Sequence, residues 1–592
     1  MLEWSGTGNK KLPSSNLYVS LLKKQQEVIF LSRIVVIGGG AAGLKAAARA
    51  RRRDEEAEIT VIEAGSYPSI SRCGLPYYVE GFVHEIENLM QTTYGAVRDV
   101  EFFKKVKNID VLVKTEAKRI DREKKIVEIE RNGKSDELPY DYLVIATGSK
   151  PSKPPIPGID AENVVHLHSA EDAEKIVEMW DEGAEEAVII GGGLVGMESA
   201  EALSKLDMKV TLVEIMPHVL PACLDAEIAA LVEAHLREKG VSVLTNSKVE
   251  EIVTEDGAVS GVRIGEKVIP AQLVLVATGV KPNVELAKNA GIEIGETGAI
   301  KVNEYMQTND ENIYAGGDCV ENINLITGKP AYIPLGSTAN KHGRVIGDNV
   351  TGGNSTFPGV LGTIIFKVFD FTVARTGLSE GEARKLGYDV ITAVTPSPDR
   401  FHHYPRSKPI RVKIIADRSG KLLGAQAVGL GVIDKRIDVL ATAIQMGATI
   451  DDIANLDLAY APPFSTALDA VIVAANVVRN KRDRLVETIS AEEMKKKIES
   501  EEDFVILDVR TDEEKAGNPI NDSRVIHIPI DKLRESLDKI PRDKEIFTVC
   551  QIGARGYEAA RFLMQKGFRA RMVDGGMAIL SVLLKGNKES QS

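Results

Sequence analysis

A chain of 592 residues is too long for one hydrophobic core, and its length predicts about three to five domains. Hydrophobic residues make up 43% and charged residues 27%, as in ordinary globular proteins, and the net charge of −12 excludes general affinity for nucleic acid or an anionic membrane. No apolar run approaches the roughly 18 residues of a membrane span, and residues 1–32 lack the apolar core of a secretory signal. We therefore expect a cytoplasmic protein in which residues 1–32 are a loose extension or a misplaced start.

The first predicted unit is a strand, a glycine turn and a helix, RIVVIGGGAAG followed by LKAAARARRR. Gly38, Gly40 and Gly43 have the spacing G-x-G-x-x-G, and a second strand, EITVIE, ends at Glu63, twenty residues further on. Such glycines let the backbone approach a pyrophosphate at a helix N-terminus, while the acid binds a ribose hydroxyl. The unit predicts a dinucleotide site.

The same pattern occurs a second time. EAVIIGGGLVG contains Gly191, Gly193 and Gly196 in the same spacing, and the next strand, KVTLVE, ends at Glu214. An acid at that position would repel the 2′-phosphate of NADPH and therefore favours NADH. Two dinucleotide sites in one chain predict hydride transfer between two bound dinucleotides.

Two matching strand endings frame these units. YLVIATG ends in Thr147 and Gly148, and LVLVATG ends in Gly279. Further on, NIYAGGD leads a strand into glycines and Asp318. The order of these motifs resembles that of the flavoprotein disulfide reductases with two dinucleotide-binding domains, and the resemblance covers residues 33–480.

The resemblance implies FAD at the first glycine loop, with Asp318 on the ribityl chain, and NADH at the second. It implies an α/β fold with two Rossmann-like domains and an α+β dimerisation domain, which places residues of one subunit over the flavin of the other in a homodimer or a dimer of dimers. The implied divisions are 33–150 and 291–355 for FAD, 151–290 for NADH, and 356–480 for dimerisation.

The cysteines are far apart, and none form CxxC pairs, which excludes zinc and iron–sulfur sites as well as a disulfide scaffold. The four are Cys73, Cys223, Cys319 and Cys550. Cys73 lies in SISRCGLPYYV, and the resemblance places it at the start of a helix beside the flavin. A helix N-terminus and the neighbouring Arg72 would both lower the pKa of the thiol, which predicts a reactive thiolate. The alternative is a buried structural cysteine.

No second cysteine lies near Cys73, so the chain resembles the single-cysteine branch, which contains coenzyme A disulfide reductases, NADH peroxidases and NADH oxidases. The histidine of the peroxidases is replaced by Ala41, and CGLPYY is more similar to the coenzyme A disulfide reductases. That resemblance implies Ser69 beside the pantetheine of coenzyme A and Arg49 or Arg52 near its phosphates. Alternatively, these arginines stabilise the dipole at a helix C-terminus.

The resemblance also implies two tyrosines that reach the substrate sulfur from the partner subunit. Tyr404 in FHHYP and Tyr460 in LAYAPPF fit that role, and each hydroxyl could protonate a departing thiolate or hydrosulfide. The alternative for each is a buried core tyrosine. Ile70 and Arg72 stand where the family pattern has Phe and Asn, which leaves the placement of the substrate open.

The C-terminal region follows a charged run, RNKRDR at 479–484, which we interpret as a linker. A strand then leads into Cys550 and the loop CQIGARG, which includes Arg555. Successive backbone N–H groups in such a loop form a nest that stabilises a thiolate or persulfide. With VDGGM, the loop resembles that of a rhodanese domain over 485–586; the alternative is an inactive rhodanese fold used for docking.

Together these predictions form one functional hypothesis. NADH reduces FAD, the flavin reduces an adduct on Cys73, and Cys550 handles sulfane sulfur, with persulfides or polysulfides as substrates and hydrogen sulfide as product. Two alternatives are a coenzyme A disulfide reductase with NADH oxidase side activity, and a sulfur-relay carrier whose rhodanese domain binds partners.

Overall fold

The computed structural model describes residues 32–589. The expectation for residues 1–32 therefore lies, except for Ser32, outside the described residues. Within the described range no helix is long and apolar enough to cross a membrane. The same range contains no group of three or more His, Cys, Asp or Glu side chains that could hold a metal ion.

The first segment starts with the predicted strand–turn–helix unit. Its elements are β1 Arg33–Ile37, α1 Ala41–Arg51, β2 Glu58–Ile62, a 3₁₀ turn Arg72–Gly74, α2 Leu75–Val79, a 3₁₀ helix Ile86–Met90, α3 Val100–Lys107, β3 Asp110–Leu112, β4 Thr115–Asp121, β5 Ile126–Arg131, β6 Lys134–Pro139, β7 Tyr142–Ile145 and β8 Ser149–Pro151. Strands β4, β5 and β6 form a small antiparallel sheet. In β1, four of the five residues are buried, as expected for a strand covered on both faces.

The second segment repeats this arrangement. Its elements are β9 Val164–Val165, α4 Ala170–Asp181, β10 Glu186–Ile190, α5 Leu194–Lys205, β11 Lys209–Val213, α6 Ala226–Glu238, β12 Ser242–Leu244, β13 Glu251–Glu255, β14 Ala258–Ile264, β15 Lys267–Pro270, β16 Leu273–Val276, β17 Val280–Pro282 and α7 Glu285–Asn289. A parallel sheet has the order β12–β11–β10–β16–β9, and β13, β14 and β15 form a separate antiparallel sheet. Strand β17 pairs with β8 and joins the two segments.

The chain then returns to the first sheet. The returning elements are β18 Ile313–Ala315, β19 Asn322–Ile323, β20 Pro330–Ala331 and α8 Gly336–Asn349. Strand β18 completes a parallel sheet of order β18–β7–β1–β2–β3, and α8 packs against α1. The first dinucleotide-binding domain is therefore built from two separated parts of the chain, as the motif order predicts.

The next segment is an antiparallel sheet with helices, which matches the expected α+β class. Its elements are β21 Ile364–Val368, β22 Phe371–Gly377, α9 Glu380–Lys385, β23 Val390–Pro398, β24 Pro409–Asp417, β25 Leu422–Gly429, α10 Asp434–Gln445, α11 Ile450–Ala454 and α12 Ala470–Arg482. The strand order is β21–β22–β25–β24–β23.

The C-terminal segment is a parallel sheet of order β26–β30–β29–β27–β28. Its elements are β26 Thr488–Ile489, α13 Ala491–Ile498, β27 Phe504–Asp508, α14 Asp512–Gly517, β28 Val525–His527, 3₁₀ helices Ile530–Glu535 and Leu537–Lys539, β29 Glu545–Val549, α15 Ala554–Gln565, β30 Ala570–Val573 and α16 Met577–Glu589. Helix α16 packs against α6, so the segment contacts the second dinucleotide-binding domain.

The interpretation of 479–484 as a linker is wrong. Helix α12 continues through this charged run to Arg482. Lys481 forms an ion pair with the buried Asp574 of the C-terminal segment, and Arg482 forms one with Asp451. These carboxylates neutralise two cations of the run 479–484. The run is therefore the end of a packed helix and not a solvent-exposed linker.

Candidate active site

A cavity of about 1780 Å³ lies against the carboxyl ends of the first parallel sheet. Both dinucleotide-binding domains contribute to its wall. Among its lining residues are the predicted Gly38, Gly40, Glu63, Thr147, Gly148, Asp318, Cys73, Ser69 and Arg52, together with Arg72, Leu194 and Glu198. One cavity therefore contains the first glycine loop, the thiol that is predicted to be reactive, and part of helix α5.

The geometry of the first glycine loop fits a pyrophosphate. Gly38 has φ +114°, and a Cβ there would lie 2.1 Å from the carbonyl oxygen of Ala146. A Cβ at Gly43 would lie 2.0 Å from the oxygen of Gly38, whereas Gly40 faces open space. Two glycines thus let the turn close tightly, and the third leaves room for a ligand at the N-terminus of α1.

The second loop repeats these contacts. Gly191 has φ +111°, a Cβ at Gly196 would lie 2.1 Å from the oxygen of Gly191, and Gly193 faces open space. Gly279, at the end of the matching strand, has φ +92°, a conformation that favours glycine. The second loop therefore has the same capacity to bind a dinucleotide.

The two predicted acids support the loops themselves. Glu63 accepts a hydrogen bond from the backbone N–H of Gly39 at 2.7 Å, and Glu214 accepts one from Gly192 at the same distance. A second oxygen of Glu214 accepts from Met216, and the residue is 6% exposed. Sequence reasoning assigned these carboxylates to ribose recognition and missed that each also holds its glycine turn in place.

The flavin side of the cavity has the expected polar groups. The Thr147 hydroxyl donates to the carbonyl oxygen of Asn283 at 2.7 Å, and Gly148 has φ +68°. Burial raises the pKa of Asp318, although the charge of Arg72 lowers it in part. Cys319 is fully buried and donates to the oxygen of Gly316. The cavity, the glycine loop and Asp318 together fit FAD.

The reactive-thiol prediction needs one correction. Cys73 is exposed, so it is not the buried structural cysteine of the alternative. It lies in the 3₁₀ turn Arg72–Gly74, ahead of α2, which has only five residues. Dense surrounding protein, followed by the charges of Glu198 and Asp318, raises the pKa of the thiol. The expected lowering by Arg72 and a helix N-terminus is therefore wrong, because burial, followed by two carboxylates from distant segments, raises the pKa instead.

The residues expected to bind coenzyme A fall into two groups. Ser69 and Arg52 line the cavity, and Ser69 has a strained φ of +62°. Arg49 forms an ion pair with the buried Asp348, Nε to Oδ1 at 2.6 Å. Of the two arginines, Arg52 therefore lies at the cavity, whereas Arg49 pairs with Asp348 in the contact between α1 and α8.

Sequence reasoning missed Glu198, which α5 places at the cavity wall. Burial, followed by the charge of Glu201, raises its pKa from 4.5 to about 7. The sequence signal was available, since Glu198 is a carboxylate on a helix of mostly small and apolar residues, LVGMESAEALSK. A carboxyl that titrates near neutral pH beside a thiol can exchange protons with it.

The raised pKa of Glu198 predicts a pH-dependent stability. Between pH 4.5 and about 7 the unfolded chain loses this proton and the folded chain keeps it, so stability falls as pH rises. Glu198→Gln should remove that loss and stabilise the protein by about 2 kcal/mol at pH 8 but not at pH 4.5. Thermal midpoints of flavin-loaded protein at both pH values test this.

The neighbouring Glu201 supplies a control of opposite sign. Burial would raise its pKa, but hydrogen bonds from Lys367 and Lys205 lower it overall. Glu201→Gln should therefore destabilise the protein at pH 8. Equal shifts for both variants would contradict the assignment to Glu198.

The two tyrosines are at the surface of the single chain. Tyr404 is 39% and Tyr460 50% exposed, so neither is the buried core residue of the alternative. Neither lines the cavity described above. Their place relative to Cys73 stays a prediction about the partner subunit.

The second predicted thiol lies in the C-terminal segment. Cys550 follows β29, is 1% exposed, and its Sγ accepts backbone N–H groups from Gly553 at 3.2 Å and Gly556 at 3.3 Å. Helix α15 begins within the same loop. Arg555 donates to Glu514 at 2.7 Å, and this hydrogen bond raises the pKa of Arg555 although burial lowers it in part. These donors form the nest that the loop sequence predicts.

Comparison with known protein families agrees with this architecture. Residues 32–340 match the model described as pyridine nucleotide-disulphide oxidoreductase, residues 363–472 match the dimerisation domain of that family, and residues 490–579 match the rhodanese-like domain.

Individual relatives extend the comparison. The NAD(P)H sulfur oxidoreductase (CoA-dependent) of Pyrococcus furiosus is 41% identical over 434 residues, which cover 72% of this chain and 94% of that protein. The NAD(P)H coenzyme A polysulfide/persulfide reductase of Pyrococcus horikoshii is 39% identical, covering 72% and 93%. The solved structure of an NAD-dependent persulfide reductase from A. fulgidus is 60% identical with a TM-score of 0.89, covering 92% of this chain and 99% of that one. The chain belongs to the pyridine nucleotide-disulphide oxidoreductase family, with domains for FAD and a pyridine nucleotide, a dimerisation domain and a C-terminal rhodanese-like domain, as its motifs predicted.

Proposed function

We propose that this chain uses NADH and FAD to reduce the sulfur–sulfur bonds of persulfides and polysulfides, with coenzyme A persulfide as an organic substrate. The observation that carries the proposal is the position of Cys73. It is the only one of the four cysteines that lines the cavity fitted to FAD, and it is exposed there. The names of the relatives, which include coenzyme A-dependent sulfur oxidoreductase and persulfide reductase, support the same substrates.

The proposed chemistry is a disulfide exchange followed by reduction. The Cys73 thiolate attacks the coenzyme A sulfur of CoA–S–SH, the S–S bond breaks, and hydrosulfide leaves, so that a Cys73–coenzyme A disulfide forms. A hydride equivalent from NADH, two electrons and a proton, then restores the Cys73 thiolate and releases coenzyme A thiol. When bound, FAD supplies the two-electron transfer between nicotinamide and sulfur.

The chain's own residues prepare this exchange. Burial, followed by the charges of Glu198 and Asp318, raises the pKa of Cys73 and so favours its protonated form, and Glu198, which lines the same cavity, takes that proton. Ser69 and Arg52 stand at the cavity where the pantetheine and a phosphate of coenzyme A would enter. Glu214 favours NADH over NADPH by charge.

The dimerisation domain indicates a homodimer, and our proposal includes a dimer of dimers as the alternative assembly. In the homodimer, Tyr404 and Tyr460 of one subunit act on the cavity of the other and protonate the departing sulfur. Cys550, held in its nest of N–H groups, accepts or delivers sulfane sulfur as a persulfide.

The test is steady-state NADH oxidation with coenzyme A persulfide, inorganic polysulfide and coenzyme A disulfide side by side, on protein whose FAD content has been measured. We expect about one FAD per chain and the highest kcat/KM with the persulfide or polysulfide, accompanied by hydrogen sulfide. A preference for coenzyme A disulfide would favour the alternative of a coenzyme A disulfide reductase. Correctly folded protein that cannot take up flavin would refute the proposal.

A further inference from the structure

Arg72 is a cation beside the reactive thiol that the chemistry above does not use. It shares the 3₁₀ turn with Cys73 and lines the same cavity. Within the described residues it forms no ion pair with a carboxylate, and its hydrogen bond goes to the Nε2 of His168 at 3.2 Å. Within the described residues its charge is therefore not neutralised by a contacting carboxylate.

His168 is a suitable partner because it adds no charge. A guanidinium can only donate hydrogen bonds, so Nε2 must accept and the ring proton resides on Nδ1. Burial, followed by the charge of Arg72, lowers the pKa of His168 to about 4, so the imidazole is neutral at physiological pH. A carboxylate at this position would instead cancel the charge of the arginine.

The position of His168 is itself rigid. Its backbone N–H donates to Asp172 at 3.0 Å, and Asp172 also forms a capping box with Ser169 at the start of α4. Helix α4 belongs to the second dinucleotide-binding domain, whereas Arg72 belongs to the first. The contact thus fixes the guanidinium from across the domain boundary.

The surroundings of Cys73 need such a cation when the substrate is an anion. Burial, followed by the charges of Glu198 and Asp318, already raises the pKa of the thiol, so a second negative charge at the sulfur would be disfavoured by burial and repelled by both carboxylates. Persulfides and polysulfides carry such a charge, because their terminal S–H is more acidic than a thiol, whereas both sulfurs of a disulfide are neutral. As bound substrates, only persulfides and polysulfides therefore bring a negative charge on sulfur that a cation must offset.

We propose that Arg72, positioned by His168, binds the negatively charged terminal sulfur of a persulfide or polysulfide beside Cys73. This rests on the proposed function and specifies its substrate class. When coenzyme A persulfide binds as CoA–S–S⁻, attack by the Cys73 thiolate breaks the S–S bond. The departing sulfur takes one proton from a tyrosine hydroxyl and leaves as HS⁻ beside the guanidinium.

The experiment compares kcat/KM of flavin-loaded variants with coenzyme A persulfide, inorganic tetrasulfide and coenzyme A disulfide. Both coenzyme A substrates present a coenzyme A group, and the disulfide carries a second one, so their ratio compares an anionic with a neutral outer sulfur. Tetrasulfide, which has no phosphate, controls for the additional phosphates of the disulfide. Arg72→Gln should lower kcat/KM about 10- to 100-fold for the persulfide and tetrasulfide, as expected for a lost charged hydrogen bond, and less than about threefold for the disulfide. Arg72→Lys should restore most of the loss. A loss with only one anionic substrate would assign the subsite to that source.

His168 is tested as a positioning residue. His168→Leu should lower the same ratio, whereas His168→Gln, which keeps an acceptor, should retain it. Hydrosulfide, the anionic product, should inhibit Arg72→Gln about tenfold more weakly than the wild type. The matched control is Lys118→Gln, which removes another cation from the cavity wall and should leave the ratio unchanged.

Three results would overturn the inference: equal losses of Arg72→Gln on all three substrates, loss of FAD from that variant, or the same ratio change in Lys118→Gln. If the wild type reduces persulfide and Arg72→Gln behaves identically, the inference alone fails. If the wild type reduces none of the three substrates, the proposed function fails first and the inference with it.

Discussion

Replacing Cys73 by serine is expected to abolish NADH-dependent reduction of persulfide, polysulfide and coenzyme A disulfide. No other cysteine can take over the sulfur chemistry. Cys223 and Cys319 are buried, and Cys550 lies in the rhodanese-like domain. A serine hydroxyl neither forms a mixed disulfide nor accepts electrons from a reduced flavin. NADH oxidation with each substrate measures the loss, and retained FAD shows that the cavity is intact.

The variants of Cys73 and Cys550 should lose different activities. Cys73→Ser should spare sulfur transfer from thiosulfate or persulfide, if the rhodanese-like domain is active. Cys550→Ser should abolish that transfer while leaving reduction of small diffusing substrates largely intact. Cys223→Ala serves as the control and should retain both activities, because Cys223 neither lines the cavity nor belongs to the rhodanese-like domain. Equal loss of reductase activity in the Cys73 and Cys550 variants would instead indicate an obligatory relay between them.

Removing the hydroxyls of Tyr404 and Tyr460 together should slow the sulfur half-reaction by about 10²- to 10⁴-fold, the usual effect of losing a general acid. Reduction of the flavin by NADH should be unaffected, because that step takes place on the nicotinamide side. Either single Tyr→Phe change should have a smaller effect, since the other hydroxyl can supply the proton. Single-turnover measurements of each half-reaction separate the two steps.

Mixed dimers test whether these tyrosines act across the interface. A Cys73→Ser chain combined with a Tyr404→Phe/Tyr460→Phe chain gives one site with both defects and one with neither. Activity should therefore partly return on mixing. If subunits demonstrably exchange and activity stays at the level of the parent variants, the tyrosines act within their own chain. Their exposure on the single chain is what makes the partner arrangement testable.

The sequence by itself determined the two dinucleotide-binding loops. Gly38 and Gly191 adopt positive φ, and a side chain at either would collide with a neighbouring strand end. The close approach of Gly43 to Gly38, and of Gly196 to Gly191, acts within one strand–turn–helix unit, so the glycine spacing can be recognised in the sequence. The nest of N–H groups around Cys550 could be predicted from the sequence for the same reason, because its donors, Gly553 and Gly556, lie within six residues of Cys550.

Only the tertiary structure decided the electrostatics of the thiol. Burial raises the pKa of Cys73 most, followed by carboxylates from α5 and from the loop after β18, whereas sequence reasoning considered only the adjacent Arg72 and a helix N-terminus. Arg72 in turn meets His168 from the second domain. Charge acts through space and depends on burial, so segments far apart along the chain set it.

Tertiary contacts likewise decided which cations are available to ligands. Arg49 and Arg52 are equivalent in the sequence, yet Asp348 of α8 engages only the first. Lys481 belongs to a run that the sequence indicates as a solvated linker, yet it forms an ion pair with the buried Asp574. Whether a charged side chain forms an ion pair depends on which residue the fold places opposite it. The neighbouring sequence does not show that residue.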